Sequence, residues 1–181
     1  MKKTSVLLSI LLVFVFIFCS CGILNNTNKP IAEKLSENDI RIIKETMQIR
    51  QQLVSQSAAS LFIRLDTLKI MKIAGSYSSS ELQKQFDSCY DCCTDLLQKI
   101  EEMVDDYRKY PDIFVTIKSA IDSLIEIHDN IGIKTDQGNN NHTFTVDIMR
   151  ELSDDIQSWD KMYSSAFSGL LSPHREHTLL T

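Results

Sequence analysis

The eight residues Gly75–Leu82, GSYSSSEL, decide how this chain folds. Ser78 and Glu81 have the spacing of a capping box, in which the two residues satisfy each other's backbone N–H groups at the start of a helix. Gly75 suits the left-handed backbone that commonly ends a helix. Because the connection between these two signals is so short, it predicts two helices folded back on each other as an antiparallel hairpin.

The helix before this connection is predicted from its own capping signal. Ser36 and Asp39 repeat the box pattern, with Asp in place of the usual Glu. The pattern predicts a helix from about 37 to 74, roughly 57 Å long at 1.5 Å per residue. A bend near Ser55-Gln56-Ser57 is left open. Spacings of three, four and seven predict one buried stripe, made of Ile40, Ile43, Met47, Val54, Ala58, Leu61, Leu65 and Leu68.

Three further helices are predicted after the first. The second helix has Leu82, Phe86, Cys89, Cys93, Leu96, Leu97, Ile100, Val104 and Tyr107 on its predicted buried face. Pro111 predicts either a sharp turn or a kink. A third helix is predicted from about Asp112 to Ile131, with Gly132 as its stop, and a last one from Phe144 to Leu170. The predicted fold is an all-α antiparallel bundle of about four helical segments.

Composition agrees with long helices and a negatively charged body. Five glycines and three prolines are too few for a β-sandwich or barrel. If residues 1–20 are removed, Lys+Arg falls from 19 to 17 while Asp+Glu stays at 24, so the net charge moves from −5 to −7. An acidic balance argues against nucleic acid as a partner.

The N-terminus carries a targeting signal. Lys2 and Lys3 precede an apolar run from Val6 to Phe18, which is typical of a secretory signal peptide and too short for a permanent membrane anchor. Phe18-Cys19-Ser20-Cys21 resembles a relaxed bacterial lipobox, although Leu is the usual residue where Phe18 stands. The resemblance implies cleavage before Cys21 and lipidation of Cys21. An ordinary signal with an incidental Cys21 is the alternative, and Cys19 could compete as the modified residue.

These signals divide the chain into four parts. We expect a lipoprotein signal peptide at 1–20, a lipid-anchored flexible tether at 21–35, a helical bundle domain at 36–171 and a flexible tail at 172–181. The anchor would attach the protein to the outer membrane, with the domain standing clear of the headgroups.

Groups that could carry chemistry are few. Cys89, Cys92 and Cys93 could pack in the core, form a disulfide or, as the weakest alternative, bind a metal. Neighbouring carboxylates such as Glu101-Glu102 and Asp105-Asp106 are typical of a solvated helix face. No catalytic motif is recognised, and we predict no enzyme activity, catalytic residue, metal or cofactor.

Residues 133–143, the longest loop signal in the body, contain the candidate partner-binding site. Loops on a rigid scaffold carry binding residues disproportionately, with a solvated connector as the alternative, and Tyr110-Pro111 is expected to offer an apolar neighbour. The predicted partner-binding residues are Asp136, Gln137, Asn139, Asn140, Asn141 and His142.

The lipobox, tether and acidic bundle resemble the surface lipoproteins of spirochaetes. In size and helical character the chain is similar to the factor H-binding lipoproteins of relapsing-fever spirochaetes. That resemblance implies display on the cell surface and capture of a host serum protein, a complement regulator such as factor H, for immune evasion. It matches no binding motif, so no site residue follows from it. The alternative is a lipoprotein facing the periplasm that acts as an immunity factor or an envelope assembly chaperone.

Overall fold

Within residues 35–137 and 144–170, which the computed structural model describes, the chain forms four α-helices and no strand. These residues therefore confirm the predicted all-α bundle. The helices are α1 (Glu37–Ala74), α2 (Ser79–Lys109), α3 (Lys118–Gln137) and α4 (Val146–Leu170), with a short 3₁₀ helix at Val115–Ile117 before α3.

Both predicted capping boxes are present. Ser78 Oγ accepts from the Glu81 backbone N–H at 3.3 Å, and the Ser78 N–H donates to Glu81 Oε2 at 2.7 Å. The side-chain hydrogen bond from Ser78, followed by the backbone one, lowers the pKa of Glu81. Ser36 and Asp39 form the same box at the start of α1. Gly75 has φ of 66°, a left-handed conformation that glycine adopts without steric cost, and its N–H donates to the Met71 carbonyl.

The four helices form an up-down-up-down bundle in which each neighbouring pair is antiparallel. α1 packs against α2 and α4, and α3 packs against the same two helices. An ion pair between α1 and α2 shows that these two helices run in opposite directions. Arg50, in the first half of α1, binds Asp106 near the end of α2 at 3.1 Å. α1 and α3 thus occupy opposite corners, since the backbones of their described residues do not approach each other closely.

The core fills the space between the helices and follows the predicted stripes closely. Of the predicted α1 positions, only Ile40 and Ile43, in the first two turns of the helix, are partly exposed. Two buried methionines, Met103 and Met149, lie beside the predicted stripes and were not expected. The fully buried side chains include Met47, Leu61, Leu65, Leu96, Ile100, Phe114, Ile121, Leu124, Leu152, Ile156 and Phe167.

Polar side chains in the middle of α1 form hydrogen bonds with α4. Ser55 Oγ donates to Asp160 Oδ1 of α4 at 2.6 Å, and Gln51 Nε2 donates to the same carboxylate. On the α4 side, Ser153 Oγ donates to the Ala58 carbonyl at 3.0 Å in a fully buried position. α1 runs unbroken through Ser57. Buried polar groups are tolerated when they are paired in this way.

The sequence left the effect of Pro111 open, and the structure shows a break. α2 ends at Lys109, and Ile113 N–H and Phe114 N–H then donate to the carbonyls three residues earlier at 3.1 and 3.2 Å. The predicted start of the third helix near Asp112 is therefore wrong, because the chain makes tight i+3 turns until Lys118. These turns bury Phe114, whose ring lies 6.5 Å from that of Tyr107.

The predicted stop at Gly132 is also wrong, since α3 continues to Gln137. A glycine inside a helix costs only about 1 kcal/mol relative to alanine, and here the core stripe continues past it. Ile131 and Thr135 are both buried, and Thr135 Oγ1 donates back to the Gly132 carbonyl at 2.8 Å. Burial on both sides of the glycine outweighs its conformational freedom.

Candidate binding surfaces

The connection between α3 and α4 is shorter than the sequence indicated. Asp136 and Gln137 belong to the last turn of α3, so their assignment to the loop is wrong. Asn139, Asn140, Asn141 and His142 lie outside the described residues, as do Cys21 and the N-terminal signal. The partner-binding role of the loop and the lipidation of Cys21 stay predictions.

Both ends of this connection are held by the bundle. Lys134 near the end of α3 forms an ion pair with Glu151 of α4. At the other end, Phe144 packs edge-on against Tyr90 of α2, with ring centroids 5.5 Å apart. Thr145 Oγ1 then accepts from the Ile148 N–H at 3.2 Å, which caps α4. The six residues 138–143 thus connect two points that are fixed by contacts among three helices.

Tyr110-Pro111 is not an apolar neighbour of this connection, contrary to the prediction. Phe144 contacts α2 at Tyr90, whereas Tyr110 follows twenty residues later, about 30 Å further along the axis. The Pro111 turn therefore lies at the opposite end of the bundle. The error has a simple cause, because sequence spacing does not say which helix ends meet.

An open polar groove of about 470 Å³ runs between α1 and α2. At its centre, Lys99 Nζ donates to Ser57 Oγ at 2.6 Å and to Asp95 Oδ2 at 2.5 Å. Ser57 Oγ in turn donates to Asp95 Oδ2 at 3.2 Å, so these three groups link α1 to α2. The groove is lined by Leu53, Gln56, Ser57, Ser60, Arg64, Ser88, Asp91, Cys92, Asp95 and Lys99.

The three cysteines of α2 are free thiols, two of them in the core. Burial, followed by the neighbouring Cys92 and Cys89, raises the pKa of Cys93 to about 12. Burial likewise raises the pKa of Cys89. Cys92 is half-buried at the groove, with Sγ 3.8 Å from the Ser57 carbonyl. The first of the three alternatives from the sequence, core packing, describes Cys89 and Cys93.

The carboxylates of α2 do more than form a solvated face. Glu102 and Asp106 both turn toward α1 and bind Arg50 from the same side. Asp106 also pairs with Lys109 at 3.2 Å. An arginine shared by two carboxylates of a neighbouring helix fixes how the two helices align, which makes this cluster structural.

The most unusual surface lies on the outer side of α1, facing away from the core. Ile42, Ile49, Gln56, Ile63 and Ile70 recur at intervals of seven residues and form what we call the α1 stripe. Its four isoleucines are 47–64% exposed. Residues 51–63 contain no Asp, Glu, Lys or Arg, so the middle of this surface is also uncharged. A row of exposed isoleucines along one side of a helix exceeds the singly scattered apolar residues of an ordinary surface, and larger exposed apolar surfaces mark sites of protein association.

The prediction missed this surface, although its spacing is visible in the sequence. α1 has apolar residues on two opposite sides, and the inward stripe accounts for the core. The isoleucines of α1 that are not part of the core stripe recur every seven residues. That period is typical of helix–helix seams and could have indicated a second contact surface.

Comparison with known proteins assigns this chain to no family. No family model, no curated protein and no solved structure matches the chain. None of the helices in residues 35–137 and 144–170 is long and apolar enough to cross a membrane.

Proposed function

We propose that this chain is a lipid-anchored bacterial surface protein that binds a host serum protein. Factor H, as a complement regulator, is the first candidate partner. The lipobox-like Phe18-Cys19-Ser20-Cys21 supports the anchor, and the resemblance to spirochaetal surface lipoproteins supports the class of partner. The domain would be displayed on the outer membrane by a short tether.

The observation that carries this proposal is the way contacts in the bundle fix the residues on either side of the segment 138–143. Contacts of Lys134 with Glu151 and of Phe144 with Tyr90 fix both ends of this polar segment. A segment whose ends are fixed loses less conformational entropy on binding than a free tail does. Its asparagines and histidine provide hydrogen-bond donors and acceptors, while no position of the core is used for binding.

Replacing residues 138–143 with a Gly/Ser linker of equal length should weaken capture of purified factor H at least about tenfold, or about 1.4 kcal/mol. The melting temperature should hardly change, because the variant keeps every residue of the four described helices and of their core. Binding is measured on a sensor chip. As a control, Asp112→Ser with Thr116→Ser changes exposed polar residues at the opposite end and should leave capture unchanged. Equal capture by the linker variant and the wild type would exclude this site.

Cys21→Ala should abolish fatty-acid labelling in the native host and move the protein from the detergent phase to the aqueous phase. The physical reason is the loss of acyl chains, each buried methylene of which contributes about 0.8 kcal/mol to membrane attachment. Cys19→Ala is the matched control and should keep its label. The reverse pattern would place the lipid on Cys19. Digestion of intact cells with a protease should remove the domain, and protection of the domain would instead support a periplasmic role.

A further inference from the structure

The α1 stripe is spaced symmetrically about Gln56. Ile49 and Ile63 lie one heptad to either side, and Ile42 and Ile70 lie two heptads to either side. A second α1 that runs in the opposite direction presents the same side chains in reverse order. The stripe is therefore complementary to itself in an antiparallel pair, as a two-fold symmetric interface requires.

The sizes of the side chains beside the α1 stripe also favour an antiparallel pair. In the register centred on Gln56, Leu53 faces Ala59 of the second copy, and Gln52 faces Ser60. At both of these positions near the centre a larger side chain meets a smaller one, which lets facing side chains interdigitate. A parallel pair in register would instead set Ala59 against Ala59 and leave a gap there.

The charges at the two ends of α1 favour the same orientation. Residues 37–45 contain three acidic and two basic side chains, for a net charge of −1. Residues 67–75 contain Lys69 and Lys72 and no acid, for a net charge of +2. An antiparallel pair brings these opposite charges together, whereas a parallel pair would set like against like.

We propose that the α1 stripe binds the α1 stripe of a second copy of this chain, antiparallel, with the two Gln56 side chains meeting at the two-fold axis. A glutamine amide carries both donors and acceptors, so two of them can pair reciprocally. A single polar residue in an apolar seam of heptad spacing is the arrangement that fixes register and the number of helices. The outward isoleucines exclude water on either side of this pair.

The size of the stripe makes this dimer reversible. From Ile42 to Ile70 it is about 42 Å long and one helix wide, and specific interfaces below about 1,200 Å² in total are usually weak or transient. Seven-residue spacing drifts by about 20° per heptad on a straight helix, so the ends of the stripe meet only if the two helices coil slightly around each other. Dimers would form where the protein is concentrated.

Oxidative cross-linking of the full chain captures such a reversible contact. Gln56→Cys should give at least about tenfold more disulfide-linked dimer on a non-reducing gel than Gln98→Cys, a matched control at an exposed glutamine of α2. Both variants also carry Cys92→Ser, because Cys92 lines the same groove as Gln56 and would compete in an intrachain disulfide. The chain with Cys92→Ser alone gives the background from the remaining native cysteines. Gln56 is exposed, so neither substitution disturbs the core, and circular dichroism confirms equal helix content.

The orientation has its own test. A mixture of Ile49→Cys and Ile63→Cys chains should cross-link about tenfold more than either chain alone, because only an antiparallel pair places these positions opposite each other. Strong cross-linking of each variant alone would overturn the antiparallel arrangement. The absence of a Gln56→Cys dimer would overturn the second copy as the occupant. Protection of the Gln56→Cys thiol from a maleimide by factor H would overturn it as well. None of these outcomes depends on residues 138–143, so the proposed function is tested separately.

Discussion

Trp159→Ala should be the most destabilising single change in the bundle, lowering the free energy of unfolding by about 3–5 kcal/mol. Trp159 is 2% exposed, and its ring packs edge-on against Phe167 with centroids 5.7 Å apart. Its indole N–H donates to the Ala120 carbonyl of α3 at 2.9 Å. The substitution removes both the largest side chain between α3 and α4 and the hydrogen bond that joins them.

Denaturant unfolding followed by circular dichroism measures this effect, because Trp159 is the single tryptophan and its fluorescence is lost in the variant. Met162→Ala is the control on the same helix, since Met162 is 70% exposed, and should change stability by less than about 0.5 kcal/mol. Trp159→Phe keeps most of the apolar volume and should cost less than Trp159→Ala. Equal losses for Trp159→Ala and Met162→Ala would contradict the packing of α4 on α3.

Leu61→Ala should lower the free energy of unfolding by about 2–5 kcal/mol, from lost burial and the cavity that remains. Leu61 is fully buried at the middle of α1, the helix that packs on both α2 and α4. Ser78→Ala, which removes the cap of α2, should cost about 1 kcal/mol. The order of the two losses in denaturant melts tests whether core packing or local capping contributes more.

Ile73→Ala is the matched control for Leu61, because Ile73 lies on the same helix but is 76% exposed and outside the α1 stripe. Its replacement should change stability by less than about 0.5 kcal/mol. If Leu61→Ala were as mild as Ile73→Ala, the face of α1 assigned to the core would be wrong.

Local chemistry in the sequence determined where α1 ends and where α1 and α2 begin. A capping box needs only residues three positions apart, as in Ser36 with Asp39 and Ser78 with Glu81. The left-handed turn at Gly75 likewise depends on one residue. The buried stripes could be predicted for a similar reason, because their period is a property of a single helix.

Contacts between helices decided what the sequence could not. α3 continues through Gly132 because Ile131 and Thr135 are buried on either side of it, and burial is known only once the neighbouring helices are in place. The sequence predicted which stripe of α1 is buried, but it did not say whether another helix would cover the opposite side. Both α2 and α4 pack on the inward side of α1, so the α1 stripe stays exposed.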